Sequence, residues 1–238
     1  MLSILILVGN SLVLPESAGF RIPERYQDSG DARALKQALN RLASDNGTER
    51  EAAQATLLGF GQKSIPPLLD LLTSLTPQVK VCPPNSNLPC EMVTFLIESD
   101  SRRRLRTDVI FLIGHLHAVE AVPLLVKTLG LQDSEGAGLR YWGPEKSALI
   151  EIGALAVPEL MDNLMLAENY RRSIMKGDHQ GSAYSELEVR IIEILGDIGD
   201  QRSLLFLEEM KKNTTNQILD EYLKEAIETI KHMTQKKG

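Results

Sequence analysis

A short sequence motif that contains glycine and proline recurs along the chain and constrains its fold more than any other feature. Glycine is followed by proline and then leucine at the same spacing in segments 61–68 and 153–160. A longer version spans 113–125, and a version without the proline spans 195–207. Similarity at a period of a few tens of residues is the signature of repeat architectures. The chain is therefore predicted to contain four similar units.

Each unit has the pattern of an apolar helix, a glycine-containing turn and a second apolar helix. Residues 52–58 and 109–113 show helical spacing of apolar side chains before the turn. Glycine supplies the left-handed conformation that ends a helix, and proline is tolerated at the start of the next one. Second helices such as 68–72 are apolar over most of their surface, so they need neighbours on more than one side. A stack of helix pairs provides these neighbours.

The composition agrees with a helical stack and excludes several other classes. Aromatic residues make up 5% of the chain and hydrophobic residues 43%, which disfavours a β-sandwich and a disordered chain respectively. The formal net charge of −6 argues against a nucleic-acid partner, because affinity for nucleic acid comes from neutralising phosphates. We therefore predict an all-α protein that does not bind nucleic acid.

The repeated pattern is similar to HEAT repeats, and in particular to the short HEAT-like class first associated with phycobilisome lyases. The resemblance is carried by residues 50–72, 106–129, 146–165 and 189–210. It implies an α-solenoid of four or five helical pairs over residues 31–235. Segments at 76–95 and 168–184 are predicted to be inserted loops, because the repeats are unevenly spaced. The motif is degenerate, so the resemblance indicates an architecture and leaves the activity open.

The first 18 residues are predicted to be a secretory signal peptide, followed by a linker at 19–30. The segment MLSILILVGNSLVL is apolar but too short to cross a membrane. It lacks a preceding basic residue, and the alternative is a buried first strand or helix. The prediction places the mature protein in the periplasm or outside the cell without a stable membrane span. The chain would be cytoplasmic if the segment is not a signal.

Cys82 and Cys90 flank a loop rich in proline and asparagine, which disfavours a helix or regular strand between them. Two cysteines that close one short loop suggest a local disulfide, which would persist outside the cytosol. The alternative is a pair of unrelated reduced thiols.

Motifs for catalysis, cofactors and metals are missing from the sequence. It has no nucleophile elbow, P-loop or dinucleotide fingerprint. Deoxyhypusine hydroxylase, a HEAT-repeat enzyme, holds iron through His-Glu pairs, and none of the four histidines here is followed by glutamate. His115 and His117 could supply two metal ligands, but Glu120 alone lies near enough in sequence to add a third, so no metal site is predicted.

Two features are candidate contacts for a partner. The basic run of Arg102, Arg103, Arg104 and Arg106 could bind an anionic group, or it could be a solvated helix face. Trp142 could anchor a partner or fill the junction between two units.

The sequence therefore predicts a non-catalytic scaffold that binds a protein partner. The alternative is an enzyme subunit or accessory lyase-like protein that uses a groove between repeats. Polar residues on or before the second helices are expected to face the binding surface: Lys63, Asp70, Glu120, Lys127, Asp162 and Asn163.

Overall fold

The structure, a computed structural model, describes residues 30–76, 100–129, 143–174 and 186–236. These residues are helical with connecting turns, and no strand occurs among them, so the all-α prediction is confirmed. Within these ranges no helix is both long and apolar enough to cross a membrane. The helices are α1 (Gly30–Leu42), α2 (Gly47–Phe60), α3 (Ile65–Leu75), α4 (Asp100–His115), α5 (Val122–Leu129), α6 (Pro144–Ile152), α7 (Val157–Ile174), α8 (Glu186–Ile198), α9 (Gln201–Asn213) and α10 (Gln217–Gln235).

Several predicted segments fall wholly or partly outside the described residues. These include the signal at 1–18 and most of the linker at 19–30. The predicted insertion at 76–95 begins at Thr76, the residue after α3, and its remainder is also outside. The insertion predicted at 168–184 begins within α7, which continues to Ile174.

Local sequence signals account for where half of the ten described α-helices start. Asn46 and Asp200 cap α2 and α9, because each side chain accepts a hydrogen bond from a backbone N–H of the first turn. Asn216 does the same for two N–H groups of α10. Proline occupies the first turn of α3 and α6, where its missing N–H costs no intrahelical bond. The proline positions follow the rule on which the sequence pattern was interpreted, whereas the Asn and Asp caps were not singled out by it.

Each of the four turns in the repeated motif contains one residue whose backbone φ is positive, in the left-handed region. Gly61, Gly153 and Gly199 have φ of 58°, 70° and 68°, and His117 has φ of 48°. Gly61 and Gly153 lie five residues before Pro66 and Pro158, and His117 and Gly199 lie six residues before the equivalent Pro123 and Leu205. A positive φ therefore recurs in this turn even where histidine stands in place of glycine.

Burial repeats with the same register. The residue four positions before the positive-φ residue of each turn is fully buried and always aliphatic: Leu57, Ile113, Leu149 and Leu195. A small residue just before each second helix, or in its first turn, is also fully buried: Ser64, Ala121, Ala156 and Ser203. A leucine within each second helix is buried to the same extent: Leu68, Leu125, Leu160 and Leu207. Three independent positions thus have the same environment in all four units.

The chain divides into two compact parts that are larger than a single repeat. We call them the first unit, up to Leu112, and the second unit, from Ile113, and the boundary lies inside α4. In the first unit α1 packs against α2, and α2 contacts α4 through Gln54, whose Nε2 donates to Asp108 Oδ1 at 3.1 Å. In the second unit α6 packs on α8 and α8 on α10, while α5 contacts α7 and α7 contacts α9. Within the second unit, the first helices of successive pairs therefore contact one another, and so do the second helices.

Candidate functional site

The exposed side of the second helices is the most distinctive surface of the second unit. Equivalent positions on these helices carry Lys127, Asp162 and Glu209, and all three are exposed. The position four residues earlier carries Pro123, Pro158 and Leu205, which are exposed as well. Because α5 contacts α7 and α7 contacts α9, these positions form parallel rows on three neighbouring helices.

Large apolar side chains are concentrated on the α7 and α9 part of this surface. Leu205 is 77% exposed, Leu166 is 65% exposed and Leu155 is 60% exposed. Single exposed leucines are ordinary, but a group on adjacent helices points to a contact surface. We call this group the α7–α9 surface and define it by Leu155, Pro158, Asp162, Met165, Leu166 and Leu205.

An arginine links the two sides of the α7–α9 surface. Arg202 lies one turn before Leu205 on α9, and its Nη2 donates to the carbonyl oxygen of Ala154, the residue before Leu155. Its Nε also donates to Asp200 Oδ1 at 3.0 Å, and its Nη2 to Asp200 Oδ2 at 2.8 Å. These hydrogen bonds to Asp200 raise the pKa of Arg202, so the guanidinium stays charged. The contact brings the start of α9 next to the start of α7.

From Val157 to Asn169 the charged side chains of α7 have one sign, and the two arginines of this helix, Arg171 and Arg172, follow near its end. Glu159 accepts a hydrogen bond from Asn163 Nδ2 at 3.0 Å, and Asp162 is exposed with no ion pair to a described residue. Between Val157 and Asn169 the sequence contains no lysine, arginine or histidine. The α7 side of the surface is therefore apolar and acidic.

The polar residues predicted to face a binding surface differ in their exposure and in their contacts. Asp70, Glu120, Lys127 and Asp162 are exposed. Lys63 is also exposed but forms an ion pair with Asp31, with Nζ 2.8 Å from Oδ2. Asn163 is half-buried, and its amide donates to Glu159.

The predicted basic run on α4 makes contacts within the first unit. Arg102 Nη2 donates to the carbonyl oxygen of Ser74 near the end of α3 at 2.8 Å, and Arg104 pairs with Asp45 beyond α1. Arg106 is buried, while Arg103 is exposed. These arginines therefore lie in different environments on α4. Trp142, Cys82 and Cys90 lie outside the described residues.

Arg50 was not singled out by the sequence, yet it contacts a half-buried carboxylate. Its Nε lies 3.7 Å from Asp108 Oδ2. Burial raises the pKa of Asp108, and the charges of Arg50 and Arg104 and the hydrogen bond from Gln54 offset part of that rise. The three polar residues connect α2 with α4 in the first unit.

Glu151 joins the two histidines that the sequence placed in a turn. His115 Nδ1 lies 2.8 Å from Glu151 Oε2, and His117 Nδ1 lies 2.7 Å from the Glu151 carbonyl oxygen. The residue paired with them is thus Glu151 of α6, not Glu120. Over the described ranges no group of three or more His, Cys, Asp or Glu residues could hold a metal ion. The sequence could not reveal Glu151, because the contact depends on how α4 packs against α6.

A small polar groove of about 110 Å³ lies among α6, α8 and α10. Lys146 Nζ lies 2.9 Å from Asp197 Oδ2 and 3.8 Å from Glu193 Oε2. Tyr222, Glu225 and Thr229 of α10 also line the groove. The lysine charge is compensated by two carboxylates, so the ion pairs in the groove connect α6 with α8.

Comparison with known proteins gave no match: no protein-family model, no curated protein and no solved structure is significantly similar to this chain.

Proposed function

We propose that this protein is a non-catalytic scaffold built from HEAT-like repeats and that it binds a partner protein through the α7–α9 surface. The observation that carries the proposal is a group of exposed leucines: Leu155 in the turn before α7, Leu166 on α7 and Leu205 on the adjacent α9. Exposed apolar groups of this kind mark contact surfaces, since water contact with them is unfavourable.

The repeat geometry supports the α-solenoid part of the proposal. The four turns share one left-handed position, and the same aliphatic and small positions are buried in each unit. In the second unit, α6, α8 and α10 contact in order, as do α5, α7 and α9. This is how helix pairs stack in a solenoid, where each repeat contacts its neighbours and presents an extended surface.

Site-specific photo-crosslinking tests the binding surface. A photoreactive amino acid replaces Leu205 or Leu166, and a matched control replaces the exposed Glu221 on α10. In native extract, both test positions are expected to capture the same protein, and the control position none. Equal capture from all three positions, or no capture, would contradict the proposal. Metal or chromophore bound to the purified protein would favour the enzyme-subunit alternative.

We also propose that the mature protein is exported after removal of residues 1–18. The basis is the length and apolar character of the segment MLSILILVGNSLVL. Sequencing the N-terminus of the protein isolated from its source tests this proposal, and an intact Met1 in the cytosolic fraction would reject it.

A further inference from the structure

We propose that the ligand of the α7–α9 surface is a basic amphipathic helix of the partner protein. This inference rests on the proposed scaffold function and adds the chemistry of the partner. Three properties of the surface support this inference. They are the spacing of the exposed residues along α7, the additional apolar contact from Leu205 on α9, and the sign of the charge on the surface.

The spacing fits a short helical ligand. Pro158, Asp162 and Leu166 of α7 follow one another at intervals of four residues, so they lie along one face of the helix, and Leu155 lies in the turn just before it. From Pro158 to Leu166 the α7 axis rises by about 12 Å, at about 1.5 Å per residue. A ligand helix of two to three turns spans this length with apolar anchors at i, i+3 or i+4, and i+7.

The neighbouring helix α9 adds a second apolar contact for the ligand. Leu205 on α9 occupies the position equivalent to Pro158 on α7, and it is the most exposed large apolar residue described. The contact from Arg202 to the Ala154 carbonyl oxygen holds the start of α9 beside Leu155. A helix lying along α7 would therefore bury Leu205 together with Leu155 and Leu166.

The charge selects the ligand's polar residues. Asp162 lies in the middle of the apolar row with no ion pair to a described residue, and Glu159 precedes it by one turn. On α9 the equivalent Glu209 already has a neighbour, Lys212, whose Nζ lies 3.7 Å from Glu209 Oε2. An acidic ligand would be repelled by the acidic part of α7 between Val157 and Asn169, as would an anionic lipid surface, whereas lysine or arginine beside the apolar anchors would be attracted.

Two synthetic peptides with one apolar pattern and opposite charges test the inference. Both are helical 18-residue sequences with leucine at the anchor positions; one has lysine elsewhere and the other glutamate. Their binding to the full chain is measured by fluorescence anisotropy. We expect the leucine/lysine peptide to bind at least tenfold more tightly, because reversing every charge replaces attraction by repulsion.

Matched variants separate a local effect from net charge. Asp162→Lys is expected to weaken binding of the leucine/lysine peptide about fivefold to tenfold, since exposed charge pairs are individually modest. Asp70→Lys changes the equivalent exposed position on α3 and alters the net charge equally, so it is expected to leave the affinity unchanged. Circular dichroism confirms that both variants are folded.

The inference is overturned if the two peptides bind equally, or if D70K weakens binding as much as D162K. Should Leu205 still crosslink to a protein in that case, the scaffold proposal would stand and only the partner's chemistry would be wrong. If the leucine/lysine peptide is preferred but no protein is captured at Leu205, the inference about the surface stands and the scaffold proposal fails.

Discussion

Gly114 of α4 lies so close to Ala148 of α6 that a β-carbon would not fit between them. A β-carbon built on Gly114 would be 2.9 Å from Ala148 Cα. Gly196 of α8 has the same relationship to Ala226 of α10, at 3.0 Å. Both glycines lie three residues before the left-handed residue of their turn. Close approach of successive first helices is thus a repeated property of the second unit.

Alanine at Gly114 is expected to destabilise the protein by about 1–2 kcal/mol, because the steric cost exceeds the gain in helix propensity. The matched control is Gly59→Ala near the end of α2, where a β-carbon would have no atom within 4 Å. That change is expected to stabilise by up to about 1 kcal/mol. Urea unfolding followed by circular dichroism measures both, and a G114A variant as stable as G59A would contradict the close packing.

The His117 turn gives a second prediction, which concerns backbone strain. His117 has φ of 48° where the other three turns have glycine, and its Nδ1 contacts the Glu151 carbonyl oxygen. Alanine loses the hydrogen bond and keeps the strain, whereas glycine loses the hydrogen bond and relieves the strain. We expect His117→Gly to be more stable than His117→Ala by about 1 kcal/mol in thermal unfolding.

The companion variant Gly153→Ala places a side chain at a φ of 70° in the turn after α6 and is expected to cost about 1 kcal/mol or more. If H117G proves less stable than H117A, the left-handed conformation at this turn is wrong.

Asp108 predicts a pH-dependent stability. Because burial raises its pKa above the ordinary value of 3.8, the folded chain holds this proton more tightly than the unfolded chain. The contribution of Asp108 to the free energy of unfolding therefore falls as the pH rises from about 3.8 through the raised pKa. Asp108→Asn should remove this fall, so the stability of the variant relative to the parent should increase with pH. Urea unfolding across this pH range measures the difference, and a constant difference would refute the assignment.

Glu208 predicts a pH dependence of stability with the opposite sign to that of Asp108. Its pKa is lowered chiefly by the hydrogen bond from Lys231, whose Nζ lies 2.7 Å from Glu208 Oε1. Its stabilising contribution is present above the ordinary carboxyl pKa and is lost as the pH falls. Relative to the parent, Glu208→Gln should lose stability as the pH rises, a trend opposite to that of D108N. The same titration series measures it, and parallel trends in the two variants would contradict the pairing with Lys231.

Equivalent positions predict which buried residues tolerate change. Ser64 Oγ donates to the Leu57 carbonyl oxygen at 2.6 Å, yet alanine occupies the equivalent buried position in two other units. Ser64→Ala is therefore expected to cost no more than about 1 kcal/mol. Leu68→Ala, four residues later, leaves a cavity and is expected to cost about 2–5 kcal/mol. Thermal unfolding compares the two variants, and a larger loss for S64A would contradict the shared environment of the repeats.

The sequence predicted the helical pairs and their turns because these depend on local signals. Gly61, Gly153 and Gly199 end or follow helices in the left-handed conformation, and Pro66 lies in the first turn of α3 as predicted. Helix ends were harder to predict. The predicted insertion at 168–184 has no strong helix breaker at its start, and α7 continues into it.

The candidate surface was only partly predictable. Asp162 was expected to face a binding surface because it is polar on a second helix, and it is exposed. Leu205 was counted among the apolar positions of a repeat, and periodicity alone could not show that it is 77% exposed. The difference arises because burial of a helix position depends on which neighbour covers it.

The sequence by itself determined the helical composition, the repeat register and the turn positions, since capping residues, glycine and proline act over a few residues of chain. Only the tertiary structure decided which of those residues meet. It paired Glu151 with His115 and His117, brought Arg202 to the Ala154 carbonyl, and left Leu166 exposed. Those contacts join residues that are distant in the chain, and their geometry is set by the packing of one helix pair on the next.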